Sequence, residues 1–119
     1  MVQPHITYLH MPHSGVLDRK IAGFTARLEA LHPRITRVDV VVDEIDRHKE
    51  QGRLFEVRVD VKAPRVEIVA SHQRNEDPYV AMREAFDVII RQLAGIMERQ
   101  RGEVKRHAHD GPGPEEVER

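Results

Sequence analysis

At 119 residues the chain is long enough for one domain with a ragged end, and with no Cys it excludes disulfides and thiolate metal sites, which points to a reducing, cytoplasmic compartment. No apolar run approaches a membrane span, and no charged-then-apolar leader opens the chain, so no membrane partner is expected. The formal charge of −1 is uneven: Asp110, Glu115, Glu116 and Glu118 against Arg119 place −3 on the tail, and −1 less −3 leaves +2 on the rest, well short of a strongly cationic nucleic-acid binder.

Val2 to Leu9 alternates loosely, with Ile6 and Tyr8 on one side, and predicts a short strand. Met11 to Gly15 is a loop in which Ser14 can cap a helix. Val16 to Leu31 carries Leu17, Ile21, Phe24, Leu28 and Leu31 at steps of three and four, one apolar stripe, and His32-Pro33 ends it. Ile35 to Ile45 is a β-branched strand with Val38, Val40 and Val42 inward and Val41 on the exposed face. Asp46 to Gly52 is a polar hairpin loop. In Arg53 to Lys62, Phe55, Val57, Val59 and Val61 alternate with Glu56, Arg58, Asp60 and Lys62. Ala63-Pro64 turns the chain into Arg65–Ser71, with Val66, Ile68 and Ala70 inward.

The last element is the longest. Asp77 can cap it and Pro78 suits its first position, where a missing N–H costs nothing. Met82, Phe86, Ile89, Leu93 and Ile96 then form the stripe of a helix reaching about Arg106. The order β-α-β-β-β-α implies an α+β, two-layer sandwich with two helices on one face of a four-stranded sheet. The other sheet face reads as charged rows able to meet water, as antiparallel sheets allow. We expect one domain over residues 1–107 and a disordered acidic tail over 108–119, where Gly-Pro-Gly-Pro breaks any periodicity.

Chemistry-bearing constellations are sparse. His10-x-x-His13 and His107-x-His109 lack the third and fourth ligands that a metal site needs, so no metal or cofactor is expected. No Gly-rich phosphate loop, nucleophile elbow or acid/base pair emerges, and Ser14 and Ser71 are the only serines, so no catalytic residue and no enzyme is predicted. Asp87 and Arg91, four apart on a helix, predict a surface ion pair. The basic residues are more informative. Lys20, Arg27 and Arg34 recur at steps of seven, with Gly23 and Ala30 between them. Arg91, Arg99, Arg101, Lys105 and Arg106 make the distal half of the long helix basic, and small residues beside them leave room for a phosphate backbone.

Together these residues resemble the ribosome hibernation-promoting factor family, also described as ribosome-associated inhibitors and sigma-factor modulation proteins. Asp77, Tyr79, Ala81, Met82, Ala85, Asp87, Arg91, Gln92 and Leu93 stand in the pattern of its second helix. Arg27-Leu28, then Pro33-Arg34-Ile35-Thr36 and the run Val38–Val42, resemble its first-helix end and second strand. Arg99 to Lys105 is similar to the helix ending of one branch, and the likeness spans about Ile6 to His107. The resemblance implies a short-form member with a fold similar to double-stranded-RNA-binding domains. It also implies binding to small-subunit rRNA in the channel where messenger and transfer RNA sit, shutting down translation under stress or in stationary phase. The binding residues it implies are Lys20, Arg27, Arg34, Arg74, Arg83, Arg91, Arg99, Arg101, Lys105 and Arg106, with Arg74 in the loop before the long helix. Better-known members carry lysines where this chain has Glu29, Ala30 and Val88, which shifts the load to the distal half of the long helix. The family's additional C-terminal domains do not fit in the dozen residues after His107. The alternative is a protein–protein interaction module that self-associates weakly through a sheet edge, with Val41 and Val69 exposed.

Overall fold

The computed structural model describes residues 1–45 and 52–109, with side chains except at residue 72 and residues 103–109. The chain forms β1 (His5–Leu9), α1 (Gly15–Leu31), β2 (Arg37–Ile45), β3 (Leu54–Ala63), β4 (Val66–Asn75) and α2 (Pro78–His109). This is the element order that the hydrophobic periodicity predicts. The expected hairpin loop and acidic tail fall largely on residues 46–51 and 110–119, outside the described residues.

Both helix starts are built as their sequences dictate. Ser14 is extended and its Oγ accepts the N–H of Leu17 at 3.1 Å. Asp77 Oδ1 accepts the N–H of Tyr79 at 2.9 Å, with Pro78 at the first helical position. Each cap satisfies an amide that would otherwise lack a partner and contributes about 1 kcal/mol. Ala63 pairs with Val66 across a two-residue turn, in which Pro64 precedes Arg65 at φ 66. That positive φ suits the second central position of a type II turn, more often filled by Gly.

The four strands lie in the order β1-β2-β3-β4. β1 and β2 are parallel, whereas β2/β3 and β3/β4 are antiparallel, so the sheet is mixed rather than wholly antiparallel. The reason is α1, which carries the chain back across the sheet so that β2 starts where β1 did. Register places Val38 opposite Val61, Val40 opposite Val59 and Val42 opposite Val57, all facing the helices. β1 starts at His5 rather than Val2, just after Pro4, which has no N–H to donate. β4 runs four residues past the expected Ser71. Val57 pairs with Gln73 but Val59 with Ala70, so one extra residue bulges opposite Arg58. The bulge breaks the period of two that the sequence reading relies on.

The core is the apolar sheet face plus one stripe from each helix. Ile21, Leu28, Val38, Val40, Val42, Val57, Val59, Met82, Phe86 and Ile89 are wholly inaccessible. Burying each such side chain contributes on the order of 1.5–3 kcal/mol. Phe24 of α1 stacks on Phe86 of α2, ring centroids 5.0 Å apart and planes 10° off parallel. Lys20 meets Tyr79 near the start of both helices, so the helices run side by side in the same direction. At equal rise from the Phe24–Phe86 stack, the last residue of α1, Leu31, stands level with Leu93. Leu93 is also the last wholly buried residue of α2, and the helix continues to His109. The helical backbone includes Ala108 and His109, the first two residues of the expected tail.

Candidate nucleic-acid interface

The helix layer and the sheet present different kinds of cation. Lys20 and Arg27 on α1, Arg34 just beyond it, and Arg83, Arg91, Arg99 and Arg101 on α2 are all exposed. Among the described residues, none of these seven forms an ion pair. The Asp87–Arg91 pair that their spacing predicts does not form; both side chains are exposed, where a pair offsets little of its own ordering entropy. Three arginines on the sheet side behave otherwise, although Arg58 and Lys62 of β3 form no ion pair among the described residues. Arg37 meets Asp39 at 2.6 Å, Arg53 meets Glu44 at 2.9 Å and Arg74 meets Glu56 at 3.1 Å. Hydrogen bonding to these carboxylates raises the Arg37 and Arg53 guanidiniums further above their ordinary range and lowers the Glu44 carboxyl.

Local position accounts for the three pairs. Glu56 lies directly opposite Arg74 across β3 and β4, Asp39 lies two residues from Arg37 on the same face of β2, and Glu44 lies on the strand next to Arg53. The same register sets like charges opposite one another at Arg37/Lys62, Asp39/Asp60 and Asp43/Glu56. The cations of the helix layer stand along two parallel rods: Lys20 level with the turn holding Arg83, and Arg27 level with the turn before Arg91, with Arg34 in the connection that follows α1. Aromatic rings anchor two of them. Lys20 Nζ lies 5.2 Å from the Tyr79 ring centroid, and the Arg27 guanidinium lies 5.4 Å from that of Phe24. Gly23 and Gly102 have open space where a Cβ would project, and at Gly95 a Cβ would meet only the Arg99 side chain at 3.7 Å. The small residues noted beside the basic ones therefore leave the surface unobstructed.

The structure places Lys20, Arg27, Arg83, Arg91, Arg99 and Arg101 on the two helices and Arg34 in the connection after α1. It does not bring Arg74 to the helix layer. Its polar neighbourhood reads as a loop, but the bulge carries β4 through it, and Arg74 ends on the opposite face, paired with Glu56. The Lys105 and Arg106 side chains lie outside the described residues. Arg19 belongs with the set and falls outside the seven-residue spacing: it is exposed on α1 beside Lys20 and forms no ion pair among the described residues. Its signal was adjacency to Lys20.

The histidines in the β1–α1 loop serve that loop's geometry. His10 sits at φ 60 and its Nδ1 lies 2.7 Å from Asp43 Oδ1, while His13 Nε2 pairs with Asp18 Oδ2. Tyr8 donates to Asp18 Oδ1 at 2.7 Å, which holds the Asp18 carboxyl below its ordinary range, and burial and that same carboxylate push the Tyr8 phenol up. Among the described residues no three His, Asp or Glu side chains converge as a metal site would require. An open cleft of about 560 Å³ lies where the two helices begin, lined by Met11, Val16, Phe55, Pro78 and Tyr79 among others. The Ser14 and Asp77 oxygens in its wall are both occupied as helix caps. Nothing there pairs a nucleophile with a base.

Residues 5–101 match the family described as Sigma 54 modulation protein / S30EA ribosomal protein. Among solved structures, the chain is similar to one titled a ribosomal subunit interface protein from Coxiella burnetii. That likeness has a TM-score of 0.69 at 17% identity, over 82% of this chain and 99% of the other, and it supports the fold. No curated protein matches.

Proposed function

The chain belongs to the Sigma 54 modulation protein / S30EA ribosomal protein family, and from that premise we propose a ribosome-associated, non-enzymatic regulator of translation. It lays its helix layer on small-subunit rRNA, occupies the channel used by messenger and transfer RNA, and promotes hibernation under stress or in stationary phase. Its site of action is the cytoplasm, and no helix among the described residues is long and apolar enough to cross a membrane. The observation that supports this reading is that, among the described residues, no cation of the two helices forms an ion pair, whereas Arg37, Arg53 and Arg74 on the sheet side hold carboxylates. An unpaired guanidinium keeps its donors for a ligand phosphate and has no partner to lose first. The mechanism is steric occupancy, so affinity and salt dependence describe it. Sucrose-gradient sedimentation with small subunits tests it: co-migration at low salt and release at high salt are expected, since each phosphate contact releases counterions. Failure to co-migrate at low salt would defeat the proposal.

The exposure of Val69, 37% on edge strand β4, favours a second reading as a self-associating interaction module. The bulge in β4 and the five-residue length of β1 blunt both edges against it. Light scattering that returned a salt-insensitive dimer would favour this module over the ribosomal reading.

A further inference from the structure

We propose that the segment of α2 from Glu98 to His109 is a free-standing helix that becomes fully ordered only on docking into a groove of folded RNA. Helix formation there then contributes directly to affinity. The inference rests on the RNA-binding reading above and adds how this segment engages its partner.

Three observations carry it. First, covering ends abruptly: Leu93 is 1% exposed, Ile96 and Met97 are half-buried, and every described side chain after Met97 is exposed. The twelve residues from Glu98 to His109 make about 18 Å of rod beyond the layer that α1 and the sheet provide. Second, the segment ERQRGEVKRHAH has no apolar stripe and contains Gly102. A helix of about twelve residues without tertiary packing is marginal in water, and a polar circumference gives it nothing to pack. Third, Arg99 and Arg101 form no ion pair among the described residues and are two residues apart. At about 100° per residue they project from nearly opposite sides of the rod. On a flat surface only one could reach a phosphate, whereas between the two phosphate walls of a groove both can. The occupant is therefore RNA with a groove wide enough for a helix, chosen by charge complementarity on both flanks.

Gly102 provides a clean test, because a Cβ there meets nothing within 4 Å. Gly102→Ala alters helix propensity without altering packing, and Gly102→Pro breaks the helix at the same point. The full chain is assayed with purified small ribosomal subunits. Amide exchange over 98–109 is expected to be fast in the free protein and slow in the complex, with 81–93 protected in both. Gly102→Ala should tighten binding up to about fivefold, the Gly-to-Ala propensity difference read as an equilibrium constant, and Gly102→Pro should weaken it at least tenfold. Protection of 98–109 in the free chain equal to that of 81–93 overturns the inference. So does unchanged affinity of Gly102→Ala while binding stays salt-sensitive, which leaves the RNA reading intact. Binding that survives digestion of the RNA overturns the choice of occupant, and no binding at all by the natural sequence defeats both readings.

Discussion

Neutralising Arg99 and Arg101 separates the helix layer from the sheet as the phosphate-contacting surface. If Lys20, Arg27, Arg34, Arg83, Arg91, Arg99 and Arg101 each contact one phosphate, log affinity falls against log salt with a slope of about −6, taking about 0.9 per contact. Between 50 and 200 mM salt that is a loss on the order of 6,000-fold. Arg99→Gln with Arg101→Gln removes two contacts, so the slope becomes about −4.5 and the same salt step costs about 500-fold. Both side chains are exposed and form no ion pair among the described residues, so the fold has little stake in them. The control is Arg37→Gln with Arg74→Gln, which removes the same charge from the face where both arginines already hold carboxylates. Fluorescence anisotropy or filter binding at four salt concentrations gives each slope. The control should keep the parent slope within about half a unit. Equal slopes for the two double variants, or a larger change in the control, would show that the helix layer is not the contacting face.

Phe86→Ala removes a wholly buried ring that also stacks on Phe24, and should cost about 3–5 kcal/mol in urea unfolding. Thr25 is buried, and among the described residues its Oγ1 has no hydrogen-bond partner, so Thr25→Val should raise stability by about 1 kcal/mol or more, measured as a higher urea midpoint. Burial first, and the neighbouring Glu67 carboxyl second, raise the Asp60 carboxyl above its ordinary range. A carboxyl raised in the folded state favours folding while protonated, and that contribution is lost as pH rises through its folded value. Asp60→Asn should therefore stabilise the chain at pH 7 and change little near pH 3, read from urea midpoints at the two values. For Asp18 the sign reverses: its lowered carboxyl contributes stability above the ordinary value and loses it on acidification, so Tyr8→Phe should flatten the acid limb.

Much of this arrangement is legible in the residues, and the rest fails for identifiable reasons. Val57, Val59 and Val61 alternate strictly because β3 is covered on one face only, and Ser14 and Asp77 announce the helix starts through their cap chemistry. Periodicity fails where the backbone departs from it. The bulge opposite Arg58 hides the last four residues of β4, and with them the placement of Arg74. The parallel pairing of β1 with β2 is a consequence of the crossover and has no local signature. The exposure of Lys20, Arg27, Arg91 and Arg99 follows from the apolar stripes, which fix what must turn outward. Their freedom from carboxylates, and the point where α2 outruns its cover, depend on the register of one helix against the other. The Phe24–Phe86 stack and the Lys20–Tyr79 contact mark that register, and neither has a local signature.

Helices that point the same way have a further electrical effect. The peptide dipoles of α1 and α2 add instead of cancelling, each contributing about half a charge at either end. Side chains of both signs stand at each end: Asp18, Glu76 and Asp77 with Arg19 and Lys20 where the helices begin, and Arg27, Arg34, Arg99 and Arg101 with Glu29 and Glu98 toward where they finish. The mixed charges at the start offset one another in large part, so the summed peptide dipoles remain as a lasting polarity along the helix axis.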